Sequence, residues 1–107
     1  MENFSVTFTA PGVAILEPRP MPEIRPDHVL VENMVSTISA GTERANLIGD
    51  PTVSYAVNDP VAHFPRRVGY SSAGIVRAVG EGVTDLAIGD RVAVSSGIHQ
   101  KFQVLHQ

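Results

Sequence analysis

Alternating apolar and polar residues near the N-terminus predict a β-hairpin. The side chains of Phe4, Val6 and Phe8 alternate with hydroxyl-bearing residues, which is the period of a half-buried strand. A Pro-Gly pair at 11–12 predicts a turn, and residues 13–17 form a second apolar run that can pair back onto the first. The chain is therefore expected to begin with two antiparallel strands.

Four later segments are rich in apolar and β-branched residues and end at glycine or polar turns. They are His28–Ser39, Ser72–Val79, Arg91–Val94 and Lys101–Leu105. The first is the longest, and its valine and isoleucine residues favour a pleated surface, so we expect a central strand there. Turns are expected at Gly80–Gly82 and at Gly89-Asp90.

One helix and two loops complete the predicted arrangement. Residues 43–48 predict one or two helical turns, with a hydroxyl or glycine near the N-cap and Gly49 as the stop. The prolines between 18 and 26 predict a stiff surface loop. Residues 50–67 contain three prolines and no period, so we expect a long exposed loop there. Six short strands and one helix indicate a mainly β domain, either a small barrel or a sandwich.

Size and charge limit what such a domain can do. The chain has 107 residues, 43% of them apolar, which fits one domain and leaves little room for a complete enzyme. The net charge is −3 and Lys101 is the sole lysine, so nucleic-acid binding is not expected. No apolar run approaches the roughly 20 residues that span a bilayer, and the N-terminus lacks a signal-peptide pattern.

The absence of cysteine removes several kinds of chemistry. Disulfides, thiolate metal sites and a cysteine nucleophile are excluded because the chain has no cysteine. This composition suits a reducing compartment, and we expect a cytoplasmic protein.

Three weaker patterns favour structural interpretations. Gly80-x-Gly82 lacks the third glycine of a dinucleotide fingerprint, since position 85 is Asp85. Residues 69–73 approximate the turn that presents a nucleophilic serine, but a β-branched segment follows where a helix would be needed. The histidines share no metal-ligand spacing and are expected on the surface or in packing roles. They are His28, His63, His99 and His106.

Two longer segments carry a resemblance to a known family. Residues 69–83, followed by Gly89-Asp90-Arg91-Val92, resemble the N-terminal GroES-like domain of the medium-chain dehydrogenase/reductase family, which includes zinc-containing alcohol dehydrogenases and zinc-free relatives. Val35–Glu43 falls where the family has its first active-site segment. The resemblance covers nearly the whole chain and implies a GroES-like, partly open barrel over residues 1–107. In the family, a Rossmann domain that binds NAD(P) follows, and it is absent from this chain.

The resemblance also implies a zinc-free branch. Zinc enzymes of the family take a cysteine ligand where this sequence has Ala40 and a histidine ligand where it has Tyr70, with a supporting glutamate where it has Ser71. A catalytic zinc needs three protein ligands of nitrogen, sulfur or carboxylate type. We therefore expect no metal site. The run 38–43 is similar to zinc-free members such as the bacteriochlorophyllide dehydrogenase-like proteins.

Five positions are the candidate site residues that the resemblance implies. Thr42 matches the family hydroxyl that passes a proton, although an N-cap role is equally open. Tyr70 could hydrogen-bond a carbonyl in place of the metal, or it could be structural. Glu43 matches a family aspartate that orients the zinc-binding histidine; the alternative is a solvated carboxylate in the first helical turn. Gly41 replaces a basic residue near the cofactor pyrophosphate, and Ser71 borders the same cleft.

The predicted function is that of one half of an enzyme. The resemblance implies the substrate-side domain of a zinc-independent, NAD(P)-dependent oxidoreductase, which forms one wall of the cleft and is inert alone. Its expected partners are a small-molecule substrate and a Rossmann domain, with no nucleic acid and no membrane, and homo-oligomer formation stays open. The alternative is a free-standing GroES-like module that binds a partner, which an exposed apolar patch would indicate.

Overall fold

The computed structural model describes residues 2–49, 64–95 and 97–107, and these ranges contain two β-sheets and one helix. The elements are β1 Asn3–Ala10, β2 Val13–Arg19, β3 His28–Ser36, α1 Ala40–Ile48, β4 Ser71–Val79, β5 Arg91–Ser95 and β6 Phe102–His106. The predicted mainly β class, with six short strands and one helix, is confirmed. Most of the loop predicted at 50–67 lies outside the described residues.

The N-terminal hairpin forms a sheet of its own. β1 and β2 pair antiparallel from Asn3 opposite Arg19 to Ala10 opposite Val13. Gly12 makes the turn with a φ of 78°, a left-handed conformation that glycine adopts without steric cost. Strand β2 runs two residues past the predicted end and includes a proline at 18, which is tolerated because β2 is an edge strand.

The four-stranded sheet has the order β5-β4-β3-β6, with every neighbouring pair antiparallel. Strand β3 therefore pairs on both edges, which confirms the predicted central strand, although it ends at Ser36, three residues before the predicted end. The backbones of β4 and its neighbour β3 approach each other closely at Gly74, where a Cβ atom would lie 2.3 Å from the Glu32 carbonyl oxygen. A side chain at position 74 would force these two strands apart.

The apolar core lies on one face of the four-stranded sheet. Its buried members are Val29, Val31, Val76 and Val94. Partly buried residues from the strand ends and the following turns pack against them, namely Val79, Val83, Leu86, Val92 and Leu105. Phe102 on β6 is 0% exposed, and it is the largest fully buried side chain in the described ranges.

In the first half of β1 the polar face is the more deeply buried one. Ser5 and Thr7 are both 0% exposed, whereas Phe4 and Val6 on the other face are only partly buried. Phe8, further along that second face, is also buried. The buried hydroxyl of Thr7 donates to the Glu17 carboxylate at 3.1 Å. The alternation predicted from sequence is confirmed, but burial follows the hydroxyl groups because they find hydrogen-bond partners inside.

Residues 98–102, which we call the junction segment, join the hairpin to the larger sheet. The backbone N–H of Val6 donates to the His99 carbonyl, and the N–H of Lys101 donates to the Phe4 carbonyl, both at 2.9 Å. The junction segment thus continues the hydrogen bonding of the hairpin along the free edge of β1.

The other side of the junction segment contacts β3. The N–H of Asn33 donates to the Lys101 carbonyl at 2.7 Å. The buried side chain of Asn3 accepts from the Phe102 N–H at 2.9 Å and donates to the Phe102 carbonyl at 3.3 Å. The sheets are connected in this way but stay open, so the described ranges form two linked sheets that are not closed into a barrel.

Helix α1 begins three residues before the predicted start and ends as predicted. Ser39 is the N-cap, and Gly49 ends the helix in the left-handed conformation. Thr42 lies inside the first turn, so the N-cap role considered for Thr42 is wrong. The N–H of Gly12 donates to the Leu47 carbonyl at 2.8 Å, which ties the end of the helix to the hairpin turn. Within the described ranges, no helix is long and apolar enough to cross a membrane.

An ionic cluster connects β2 to the segment that precedes β4. The Glu17 carboxylate accepts a hydrogen bond from Arg67 and lies 3.6 Å from the Arg19 guanidinium. The hydrogen bond from Arg67 is the main reason why the pKa of Glu17 lies below its ordinary value; partial burial opposes this effect, and Thr7 reinforces it. A carboxylate held in this way stabilises the fold only while it is ionised.

Replacing Phe102 with alanine is expected to lower the free energy of unfolding by about 3–5 kcal/mol, because the change removes buried apolar surface and leaves a cavity. Leu16→Ala is the matched control, since Leu16 is exposed, and its effect is expected to stay within about 0.5 kcal/mol. Urea denaturation of both variants measures the difference. Equal stabilities would contradict the assignment of Phe102 to the core.

Stability is expected to fall in acid through Glu17. Because the pKa of Glu17 is lowered in the folded state, its contribution is complete above the unfolded value of about 4.5 and disappears as the pH drops through the lower folded value. Glu17→Gln should reduce this acid-dependent loss, as followed by urea denaturation between about pH 6 and pH 3. Glu81→Gln removes an exposed turn carboxylate and is expected to leave the pH profile unchanged.

Candidate functional site

A mainly apolar groove with a volume of about 450 Å³ lies between helix α1 and strand β1. Its apolar walls include Phe8, Ile38 and Leu47, and its polar groups include Ser36, Glu43 and His99. The partly exposed face of β1 contributes to this wall. The groove therefore exists because β1 turns its hydroxyl groups inward and its larger apolar side chains toward α1.

The polar groups in the groove form a continuous hydrogen-bonded chain, Ser36–His99–Glu43, which we call the polar chain. His99 Nδ1 lies 2.7 Å from Ser36 Oγ, and His99 Nε2 contacts Glu43 Oε1. The side chains of His99 and Glu43 are only 11% and 12% exposed, whereas Ser36 is exposed. The chain thus leads from a nearly buried carboxylate to a hydroxyl at the surface.

The hydrogen-bond partners determine which ring nitrogen of neutral His99 carries the proton. An ionised carboxylate can only accept, so Glu43 requires the proton on Nε2. Nδ1 is then an acceptor, and the Ser36 hydroxyl donates to it. This tautomer is inferred from the network of partners.

Backbone hydrogen bonds hold the imidazole in place. The His99 N–H donates to the Val68 carbonyl at 2.9 Å. The buried side chain of Gln103 accepts from the Ile98 N–H at 3.0 Å and donates to the Ile98 carbonyl at 3.1 Å. His99 is therefore presented to α1 by a segment whose own polar groups are paired.

One candidate site residue, Glu43, lines this groove together with Ala40, which stands at a family ligand position. Ala40 lies at the start of α1, and Glu43 lies in its first turn. The interpretation of Glu43 as a solvated carboxylate is wrong, because the side chain is nearly buried against His99. The family counterpart of Glu43 is expected to orient a zinc-binding histidine, and here the carboxylate orients a histidine of the junction segment.

Tyr70 and Ser71 border a different cavity. It has a volume of about 380 Å³, and Gly69 and Ser95 complete its lining. The Tyr70 side chain is 61% exposed. A Cβ atom at position 69 would lie 2.4 Å from the Gly97 carbonyl oxygen, so glycine is needed for the close approach that places Tyr70 beside the start of the junction segment.

Thr42 and Gly41 do not line either cavity. Both are exposed on the first turn of α1, and the Thr42 carbonyl accepts a hydrogen bond from the Asn46 side chain at 2.9 Å. A Cβ atom at position 41 would meet no other atom within 4 Å, so there is room for a basic side chain that this sequence lacks.

Sequence reasoning missed the role of His99. The residue lies 56 positions from Glu43, and no local spacing links the two. His99 is nearly buried, and both of its ring nitrogens have a hydrogen-bond partner. A signal could have come only from the topology, which brings the junction segment between β1 and β3.

Comparisons with known proteins agree with this fold. Residues 25–103 match the family described as alcohol dehydrogenase GroES-like domain. A protein of Aspergillus clavatus named "Probable D-xylulose reductase A" is 35% identical over 101 residues, which cover 91% of this chain and 26% of that protein. The chain therefore spans about a quarter of the length of this relative.

Solved structures show the same architecture. The CurK enoyl reductase superposes on 99% of this chain with a TM-score of 0.82 and 19% identity, and the match covers 33% of that protein. Staphylococcus aureus TarJ, solved in complex with NADPH, superposes on 99% of this chain with a TM-score of 0.69 and 22% identity, covering 32% of TarJ. Together with the matched residues 25–103, these similarities establish that the chain belongs to the alcohol dehydrogenase GroES-like domain family of the medium-chain dehydrogenases/reductases.

Proposed function

We propose that this chain is the substrate-side domain of an NAD(P)-dependent oxidoreductase that works without zinc. The observation that carries the proposal is the pair of side chains at two of the family's ligand positions, Ala40 and Tyr70, together with Ser71 at the position of the supporting glutamate. A methyl group cannot coordinate a metal, and a neutral phenol is not among the nitrogen, sulfur or carboxylate ligands that a catalytic zinc needs. The residues present therefore do not fit a catalytic zinc.

Among the residues that the structure describes, other side chains do not restore the missing ligands. Across the described ranges, no group of three histidine, cysteine, aspartate or glutamate side chains is placed to hold a metal ion. His99 and Glu43 are neighbours, but both ring nitrogens of His99 already take part in hydrogen bonds. Neither nitrogen has a lone pair free for a metal while those bonds are intact.

The groove beside α1 supports a role as one wall of a substrate cleft. Apolar walls exclude water and strengthen the electrostatic interactions of the few polar groups inside. In such an enzyme, the nicotinamide supplies or accepts the hydride when it is bound. The likeness to TarJ, solved with NADPH, supports this class of cofactor.

The cofactor is proposed to bind mainly to a Rossmann domain of the complete protein. Residues 1–107 are proposed to form the GroES-like domain alone, so they are expected to be inert without that partner. A small molecule with an alcohol or carbonyl group is the proposed substrate class.

Two exposed hydroxyls are proposed to act on the substrate oxygen. Tyr70 is accessible at its cavity, and its phenol could donate a hydrogen bond to a carbonyl where zinc enzymes use the metal. Thr42 is proposed as a proton-passing hydroxyl, which its exposure on α1 permits.

Zinc analysis tests the proposed independence of the metal. The full chain is expected to retain no stoichiometric zinc after equilibration with zinc sulfate and desalting, as measured by plasma mass spectrometry. A protein of known zinc stoichiometry, carried through the same equilibration and desalting, serves as the positive control. Stoichiometric zinc in the unmodified chain would overturn the proposal.

Replacing Tyr70 with phenylalanine tests the proposed carbonyl contact. In the complete oxidoreductase, Tyr70→Phe is expected to lower kcat for carbonyl reduction about a hundredfold, because it removes a hydrogen-bond donor to the developing negative charge. Ser95→Ala, at the same cavity, is the control and should change kcat little. Unchanged turnover in Tyr70→Phe would make the tyrosine structural. A complete protein that binds neither NAD nor NADP would instead favour a binding module.

A further inference from the structure

The polar chain contains none of the residues at the family's zinc-ligand positions, yet it places a histidine between a carboxylate and a hydroxyl. We propose that His99 is a general base for the Ser36 hydroxyl and that Ser36 exchanges a proton with the oxygen of an alcohol or carbonyl substrate in the groove. This inference rests on the proposed oxidoreductase function for its substrate, but the activated hydroxyl itself is a property of this chain alone. Ser36 lines the groove, whereas Thr42 and Tyr70 do not, so Ser36 is the hydroxyl proposed to exchange a proton with a substrate that is held there.

Distance and exposure assign different roles to Ser36 and His99 in the polar chain. Ser36 Oγ is 2.7 Å from His99 Nδ1, a normal length for a hydroxyl hydrogen bond along which a proton can pass. Ser36 is exposed at the groove, while the imidazole behind it is nearly buried. A substrate oxygen can therefore reach the hydroxyl but not the base.

Glu43 is a positioning residue in this arrangement. Its carboxylate accepts from Nε2–H, which leaves the lone pair of Nδ1 directed at Ser36. The carboxylate also contacts the ring directly through Nε2. Since both side chains are little exposed, water screens this interaction less than it would at the surface.

Each transferred proton has a donor and an acceptor in both directions of the reaction. When an alcohol is oxidised, its hydroxyl proton goes to Ser36 Oγ, the proton of Ser36 goes to His99 Nδ1, and the hydride from carbon goes to the oxidised nicotinamide. When a carbonyl is reduced, the same proton returns from His99 through Ser36 to the substrate oxygen. In an enzyme that works without zinc, as proposed, this path would move the proton that a Lewis acid otherwise helps to release by lowering the pKa of the alcohol.

The contacts of His99 with Ser36 and Glu43 are not needed to hold the junction segment in place. The junction segment is already joined to β1 and to Val68 by backbone hydrogen bonds. Other histidines in the described ranges behave differently: the Nδ1 atoms of His28 and His106 lie 2.7 Å and 3.0 Å from the carbonyl oxygens of Pro26 and Gln107. A carbonyl accepts only, so Nδ1 carries the proton in both of those rings.

The tautomer of His99 provides the first test. In ¹⁵N NMR spectra of the full chain at about pH 8.5, well above the ordinary histidine pKa of about 6.5, the His99 ring should carry its proton on Nε2, with Nδ1 unprotonated. His28 is the internal control, with its proton expected on Nδ1. His99→Asn assigns the signal by removing it. A His99 ring protonated on Nδ1 at this pH would overturn the proposal.

The reactivity of Ser36 provides the second test. With p-nitrophenyl acetate as the probe, peptide mass spectrometry is expected to find Ser36 acetylated faster than exposed Ser95. His99→Asn should slow acetylation at Ser36 about a hundredfold, the range of general-base catalysis, while His106→Asn should leave it unchanged. Glu43→Gln should also slow it, although less. Equal rates at the two serines, or an unaltered rate in His99→Asn, would overturn the proposal.

Neither test needs the cofactor or the second domain. If Ser36 reacts as expected and the complete protein shows no nicotinamide-dependent turnover, the proposed oxidoreductase function is contradicted and the activation of Ser36 is supported. If turnover occurs and Ser36 is unreactive, the oxidoreductase function is supported and the proposed proton path is contradicted.

Discussion

The backbone pairing of residues 98–102 is the constraint on which the rest of the structure depends. On one side, this segment supplies and accepts hydrogen bonds with β1, and on the other it accepts from β3 at Asn33. The Asn3 side chain completes the pairing at Phe102. An N–H or carbonyl buried there without a partner would cost free energy, so the hairpin, the larger sheet and the junction segment stabilise one another.

The same constraint creates the candidate site. Because the junction segment passes between the two sheets, His99 is brought to the first turn of α1 and to the end of β3. Glu43 and Ser36 then lie on opposite sides of its ring. The inward-facing hydroxyls of β1 leave the larger side chains of that strand for the groove. Hydrogen-bonded backbone segments thus place a few polar side chains in a mainly apolar groove, which is the usual composition of a ligand-binding site.

The sequence predicted correctly those features that depend only on neighbouring residues, such as the ends of elements. Gly49 and Gly12 lie where the backbone must adopt a left-handed conformation, and both were predicted as ends of elements for that reason. The start of α1 was placed too late, since Ser39 caps the helix through its backbone conformation without a side-chain hydrogen bond. Burial on β1 was harder to foresee, because Ser5 and Thr7 are buried by partners that are distant in sequence.

What the sequence determined by itself was the set of strands, the single helix and the side chains available at the family's ligand positions. Alternation, turn residues and the absence of cysteine are local or compositional properties, so they can be evaluated without coordinates. Only the tertiary structure decided that Glu43 faces His99 and that Ser36 ends the polar chain. Those contacts join residues up to 63 positions apart, and they arise because sheet pairing, not local spacing, brings β3, α1 and the junction segment together.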